Sequence, residues 1–135
     1  MATQRRTAQN PPGVATPLKP HYSNCVKVEA GPLLFLSGQV SLDADGNLVG
    51  KGDVVAQARQ VFENLRVQLE ANGATMADVL KVTVFVTDIT TFHSLSDLRL
   101  SYFPENGPAS TIVEVSNLAW PEFLIEVEAV AAVPA

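Results

Sequence analysis

The sequence contains a single cysteine, Cys25, and only two histidines, His21 and His93. One cysteine excludes an internal disulfide framework and a zinc site built from several cysteines. Two histidines supply little material for a histidine-rich metal site. A lone cysteine is typical of the reducing cytoplasm. We therefore expect a cytoplasmic protein whose chemistry uses neither disulfides nor a metal ion.

Positive charge and long apolar runs are also scarce. The sequence has nine Lys and Arg residues and fourteen Asp and Glu residues, which gives a net charge of −5. The chain therefore lacks the basic surface of a general nucleic-acid binder. No apolar run approaches the roughly 20 residues that span a bilayer. No apolar segment follows Arg5 and Arg6, as a secretory signal would require. The sequence predicts neither nucleic-acid binding, nor a membrane span, nor secretion.

Apolar residues, by contrast, make up 47% of the 135 positions. That length and composition fit one compact domain with a buried core. Residues 1–19 differ from the rest, because they are rich in Pro, Gln and small residues and have no apolar periodicity. We expect a flexible N-terminal arm over residues 1–19 and a single domain over residues 20–135.

Two helical and five extended segments follow along the domain. Asp53 is a candidate N-cap for a helix whose apolar stripe runs from Val54 to Leu69 and stops at Asn72-Gly73. A second helix is expected over about 92–103, capped by Thr90 or Thr91. Alternating or continuous apolar patterns predict strands over residues 24–30, 33–36, 80–86, 110–115 and 124–130.

The resulting order, β-β-α-β-α-β-β, predicts an α+β domain with both helices on one face of the sheet. The other face would then be uncovered. Some of its residues are apolar, because the strand with Leu34 and Leu36 and the last strand carry apolar residues on both sides. An uncovered apolar sheet face is typical of a subunit interface, so the pattern indicates an oligomer.

The last strand carries the clearest candidates for chemistry. Period two places Glu126 and Glu128 on one face, about 7 Å apart, a spacing at which paired carboxylates can act as acid and base. The alternative is that they lie at a solvated edge or pair with a basic residue of a neighbouring subunit. Gly38 inside a strand indicates a bulge or a close approach, and Ser37 with exposed amides could hold a small anion. Ser110 has no nucleophile elbow around it and more simply bonds its own backbone.

Five segments together resemble the RidA/YjgF family. They correspond to its hydrophobic-Ser-Gly-Gln strand, its QARQ…NL helix, its VTVFVTD strand and its two C-terminal strands. In this sequence they are Leu33–Gln39, Gln57–Leu65, Val82–Asp88, Pro108–Val115 and Ile125–Ala131. The similarity runs from about Pro20 to Ala132 and keeps the order of the elements.

The resemblance implies a chorismate-mutase-like α+β fold and a homotrimer. Three sheets would form an inner barrel with the helices outside, and three small-molecule clefts would lie between adjacent subunits. The activity that the resemblance implies is hydrolysis of reactive enamines and imines, such as 2-aminoacrylate, to 2-oxo acids and ammonia. No metal or organic cofactor would be needed.

The site residues follow from the same resemblance, position by position. Glu126 matches the glutamate that orients or activates the attacking water, and Ser37 and Gly38 match a Ser-Gly pair of the cleft. Tyr22 lies in the segment of a cleft tyrosine. Further substrate-binding positions are Phe92 as a wall of the pocket, Ser96 where many members have asparagine, and Ile112 where many have cysteine.

Ser110 is the main departure from the family pattern. The deaminases have Pro-Ala-Arg-Ser/Thr where this chain has Pro108-Ala109-Ser110-Thr111. The family arginine binds the substrate carboxylate through two hydrogen bonds from its charged guanidinium. A neutral serine hydroxyl cannot replace this interaction. Two alternatives remain open: Arg99 or a residue of the N-terminal arm replaces the lost charge, or the substrate differs.

Two functions are compatible with these residues. The first is an enzyme that hydrolyses or tautomerises a small enamine, imine or related metabolite, using Glu126, with Ser37, Gly38 and Ser110 holding polar substrate atoms. The second is a non-catalytic trimer that binds a small metabolite and has a regulatory role. Ribonuclease action, suggested for some relatives, is disfavoured by the charge of −5.

Overall fold

The computed structural model of the protein describes residues 4–135. It contains six strands and two α-helices, with short 3-10 helices at Met76–Asp78 and Ile89–Leu95. In chain order the elements are β1 (Arg6–Gln9), β2 (Cys25–Val28), β3 (Leu33–Gln39), α1 (Val54–Ala71), β4 (Val79–Val86), α2 (Ser96–Tyr102), β5 (Ala109–Glu114) and β6 (Ile125–Ala132). The predicted α+β class is confirmed.

The central sheet has four strands in the order β3-β6-β4-β5. β6 pairs antiparallel with both β3 and β4, whereas β4 and β5 run parallel. β1 and β2 form a separate two-stranded antiparallel sheet. β3 and β5 are therefore the edge strands, and they lie on opposite sides of the sheet.

α1 covers one face of the sheet with the apolar stripe that the sequence predicted. Its buried residues pack against Val82, Val84 and Val86 of β4 and against alternate residues of β6. The helix residues in this core are Ala58, Val61, Phe62, Leu65 and Leu69. Both helices lie on this covered face, because Leu95 and Leu98 of the second helical segment belong to the same core.

The ends of the first helix follow the predicted capping pattern. The Asp53 carboxylate accepts hydrogen bonds from the backbone N–H groups of Val55 and Ala56, each at 3.1 Å. The helix ends at Asn72, and Gly73 follows with a φ of 76°, a left-handed conformation that suits glycine. Local sequence signals thus set both ends of α1.

The second helical segment differs from its prediction at its start. Asp88, rather than Thr90 or Thr91, is the cap: its carboxylate accepts a hydrogen bond from the Thr90 N–H at 2.9 Å. A 3-10 helix runs from Ile89 to Leu95 before α2 begins at Ser96. An acidic side chain next to the chain reversal is a better acceptor for the first free N–H groups than a threonine hydroxyl.

The opposite face of the sheet is uncovered in a single chain. It presents Lys81, Thr83 and Phe85 from β4, together with Glu126 and Glu128 from β6. Phe35 of β3, which pairs with Val130, lies on the same face and is 74% exposed. We call this surface the open face. Leu33 of β3 and Val113, which pairs with Phe85, are exposed as well, so several large apolar side chains on this face lack cover, as is typical of an interaction surface.

Part of the N-terminal arm is a strand, in place of the flexible segment expected over residues 1–19. Residues 6–9 form β1, which pairs with β2. The buried Arg5 side chain donates to the backbone carbonyls of Val133, at 2.8 Å, and of Glu29 and Pro32. Composition alone missed this segment, because its partners lie far away in the sequence. Residues 1–3 of the expected arm lie outside the described residues.

Candidate functional site

Four of the predicted site residues surround one cavity at the β5 edge. This cavity has a volume of about 220 Å³ and is lined by Tyr22, Phe92, Ser110 and Ile112, together with His21 and Arg99. Ser110 and Ile112 pair with Val82 and Val84 of β4, so their side chains share the helix-covered face. We call this group the β5 cavity.

A close backbone contact holds the His21–Tyr22 loop against β5. Ser23 N–H donates to the Pro108 carbonyl at 3.0 Å, and Gly107 N–H donates to the Pro20 carbonyl at 3.1 Å. A side chain at Gly107 would overlap the backbone of His21. Glycine at this position therefore lets the loop approach closely enough to close one side of the β5 cavity.

Arg99 supplies the positive charge of the β5 cavity. Its Nη2 donates to the Ser110 Oγ at 2.6 Å, and the residue is 3% exposed. Burial lowers the pKa of the guanidinium, although the nearby Tyr22 phenol acts in the opposite direction. Of the two replacements for the missing β5 arginine that the sequence left open, Arg99 is the one found beside Ser110.

His21 is a site residue that sequence reasoning did not identify. It is 1% exposed, and its pKa is lowered to about 4, first by burial and then by the charges of Arg99 and Lys19. The imidazole is therefore neutral at physiological pH. A histidine in an irregular, proline-bounded loop has no periodicity that could reveal its burial.

Three further polar candidates lie together at the other side of the sheet. Pairing between β3 and β6 shifts register between Leu36 and Gln39, which is the bulge that Gly38 predicted. The bulge brings Gly38 against Glu126, and a methyl group at Gly38 would overlap the Glu126 carboxylate. Ser37 is exposed beside them. We call the set of Glu126, Ser37 and Gly38 the Glu126 group.

The β5 cavity and the Glu126 group do not meet within one chain. Glu126 lies opposite Phe85 of β4, and Phe85 pairs on its other side with Val113 of β5. Glu126 is thus two strand spacings, about 10 Å, from β5, and on the opposite face from Ser110. Within one chain, β4 therefore separates the Glu126 group from the β5 cavity.

Ser96 and Glu128 are outside both groups. Ser96 is the first residue of α2 and is outside the set that lines the β5 cavity. Glu128 lies on the open face opposite Thr83, and its charge acts on Lys81, whose pKa is nevertheless lowered because burial outweighs that attraction. Glu126 and Glu128 therefore have different surroundings on the same strand.

A larger groove, of about 480 Å³, includes Gly38 but offers less chemistry. Its wall on α1 carries Glu63 and Asn64. The Glu63 carboxylate already accepts hydrogen bonds from Arg66 and Tyr102, and the Asn64 amide donates to the Val40 and Leu42 carbonyls. These polar side chains hold the fold together and are not free for a ligand.

Within residues 4–135, no three His, Cys, Asp or Glu side chains are grouped so as to hold a metal ion. None of the helices in these residues has the length and apolar character needed to cross a membrane.

Comparison with known proteins places this arrangement in a family. The model of the Endoribonuclease L-PSP family matches residues 14–133. A RutC family protein of Pyrococcus horikoshii is 43% identical over 110 residues, which are 82% of this chain and 85% of that protein. The protein DfrA of Myxococcus xanthus is 42% identical over 97 residues, 72% of this chain and 74% of that protein.

A solved structure agrees over almost the whole chain. The Rid family protein YyfB from Yersinia pestis, a protein of unknown function, superposes with a TM-score of 0.90 at 32% identity, covering 96% of this chain and 99% of that one. The sequence motifs, the order of the strands and these relatives agree, and the chain belongs to the Endoribonuclease L-PSP family, which is the RidA/YjgF family.

Proposed function

We propose that the protein is a small-molecule enzyme that hydrolyses or tautomerises a reactive enamine or imine at clefts between adjacent copies. The observation that carries this proposal is the contact between Glu126 and Gly38 on the open face. A carboxylate that sits against a bulged backbone has a fixed position beside polar groups, which suits the orientation of a water molecule.

The chemistry needs only a base and hydrogen-bonding groups. An enamine first gains a proton on carbon and loses one from nitrogen, which converts it to an imine. Glu126 accepts a proton from water as the water oxygen bonds to the imine carbon, and it passes that proton to the nitrogen, which gives a carbinolamine. The carbinolamine hydroxyl then loses its proton, which Glu126 transfers to the nitrogen as the carbon–nitrogen bond breaks, so ammonia leaves and a carbonyl remains. Stopping after the first proton transfer gives tautomerisation.

We also propose that the active assembly is a homotrimer. Support comes from the exposed Phe35 and from the separation of Glu126 from the β5 cavity, because apolar burial between copies would bring one copy's Glu126 group near another copy's cavity. Light scattering coupled to size-exclusion chromatography should give three times the chain mass. A monomer at micromolar concentration would contradict this assembly.

Glu126→Gln tests the catalytic role. Freshly generated imines and enamines are supplied to the wild-type protein and the variant, and ammonia release and the loss of enamine absorbance are followed. Removal of the general base is expected to lower turnover by about 10²–10⁴-fold. Glu128→Gln, on the same face of β6, is the matched control and should retain turnover.

The alternative is a non-catalytic trimer that binds a metabolite and has a regulatory role. Ser110, where the family pattern has arginine, is the observation that favours it. Saturable metabolite binding without turnover of any enamine or imine tested, and with no effect of Glu126→Gln, would support this alternative and contradict the enzyme.

A further inference from the structure

The β5 cavity contains a buried arginine with no acidic side chain to balance it. Within residues 4–135 the ion pairs join Arg66 to Glu63 and to Glu70, and none involves Arg99. Burial of an unpaired charge is strongly unfavourable unless an opposite charge compensates it. A buried and uncompensated guanidinium therefore points to an anion that comes from outside the chain.

Unused hydrogen-bonding atoms support the same conclusion. The Arg99 Nε and the His21 Nδ1 are buried and have no hydrogen-bond partner among the described residues. Buried polar atoms in folded proteins are nearly always paired, so each exception needs an explanation. Both atoms belong to residues that line the same cavity, and the oxygen atoms of a bound ligand would explain at least the guanidinium.

Ser110 orients this guanidinium. Its Oγ accepts the hydrogen bond from the Arg99 Nη2 at 2.6 Å, which leaves the hydroxyl proton free to be donated to a ligand. Arg99 itself retains four further N–H groups on its planar fork. The small side chain of Ser110 also leaves room at β5 for a guanidinium that arrives from α2.

We propose that Arg99 binds the carboxylate of the substrate, with Ser110 as the residue that positions its guanidinium. A charge from α2 thus takes the place of the β5 arginine that the family pattern has at position 110. This inference rests on the proposed function, and what it adds is the residue: the carboxylate of the substrates that the family resemblance implies would be bound from α2.

The size and lining of the cavity favour a carboxylate over a phosphate. A cavity volume of about 220 Å³ has room for a short-chain acid. Phe92 and Ile112 provide apolar walls for that chain. One guanidinium balances the single charge of a carboxylate, whereas a phosphate dianion would need more donors.

Equilibrium binding tests the proposal without requiring turnover. Calorimetric titration of the full chain uses 2-oxobutanoate, its neutral amide 2-oxobutanamide, and inorganic phosphate. Arg99→Met is expected to weaken 2-oxobutanoate binding about ten- to a hundredfold, the loss of a charge-assisted bond. Arg59→Met, at an exposed position of α1, is the matched control and should bind like the wild type.

A double variant and an NMR titration give independent readouts. Arg99→Met combined with Ser110→Arg returns a guanidinium to the cavity from β5 and should recover most of the lost affinity. Bound carboxylate should raise the His21 pKa in the wild type, because it neutralises the Arg99 charge that holds this pKa down, while Lys19 is unchanged. The NMR titration uses wild-type protein, so it tests whether the carboxylate binds beside Arg99 even if a variant does not fold.

The outcomes separate this inference from the proposed function. Binding that depends on Arg99 without any turnover supports the inference and contradicts the enzyme. Turnover that depends on Glu126, with unchanged 2-oxobutanoate affinity in Arg99→Met, overturns the inference and leaves the enzyme. Equal binding of the neutral amide, tighter binding of phosphate, no binding by the wild type, or a His21 pKa that is unmoved at saturation would each overturn the carboxylate assignment.

Discussion

The buried His21 should make the protein less stable as the pH falls from about 6.5 to about 4. Its pKa is about 4 in the folded chain against 6.5 for an ordinary histidine, so the unfolded state binds the proton first. Stability is therefore full above pH 6.5 and is lost as the pH falls through this window. Between pH 7.5 and 4.5 the loss amounts to about 2.5 kcal/mol of unfolding free energy.

Urea unfolding at pH 7.5, 6.5, 5.5 and 4.5, at fixed protein concentration, measures this loss. His21→Gln replaces the imidazole with a neutral polar side chain, so its free energy of unfolding should lack the His21 contribution. The difference between wild type and variant should shift by about 2.5 kcal/mol across the series. Carboxylates titrate alike in both proteins and cancel. His93→Gln, at an exposed position, should follow the wild type. Parallel curves for wild type and His21→Gln would refute the reasoning.

Three further substitutions test the fold and the Glu126 group. Gly38→Ala should displace the Glu126 carboxylate and lower turnover at least tenfold, by up to ~10²-fold, with little change in melting temperature; unchanged turnover would contradict the contact. Asp53→Ala should lower the unfolding free energy by about 1 kcal/mol through loss of the N-cap, whereas an unchanged urea midpoint would exclude that role. Gln57→Leu should cost about 1–3 kcal/mol, because the buried amide oxygen accepts the Leu124 N–H at 2.8 Å; thermal melts should show a loss larger than that of Asp53→Ala.

Periodic segments were the part of the fold that the sequence predicted well. The stripe on α1 and the alternation along β4 and β6 are direct consequences of helical and extended geometry, so Glu126 could be assigned to the face opposite the core. The N-terminal segment and the start of the second helical segment differed. β1 depends on pairing with β2, and Arg5 depends on carbonyls far away in the chain, which local patterns do not contain.

The candidate site shows the same division. Spacing and motifs were enough to select Glu126, Gly38 and Ser110 as individual residues. They could not show that Glu126 and Ser110 lie on opposite faces with β4 between them, because strand order is a tertiary property. The proposal that a second copy completes the site is based on that order.

From the scarcity of cysteine, histidine and basic residues, composition predicted a chemistry of carboxylates, hydroxyls, backbone amides and a few cations. Local periodicity determined α1 and the strands of the core. Only the tertiary structure shows which cation lies beside Ser110. Arg99 and Ser110 are eleven positions apart on different elements, and their contact results from packing α2 over the edge of the sheet. Burial of His21 and the uncompensated charge of Arg99 are likewise results of packing, because desolvation depends on what surrounds a group and not on its neighbours in sequence.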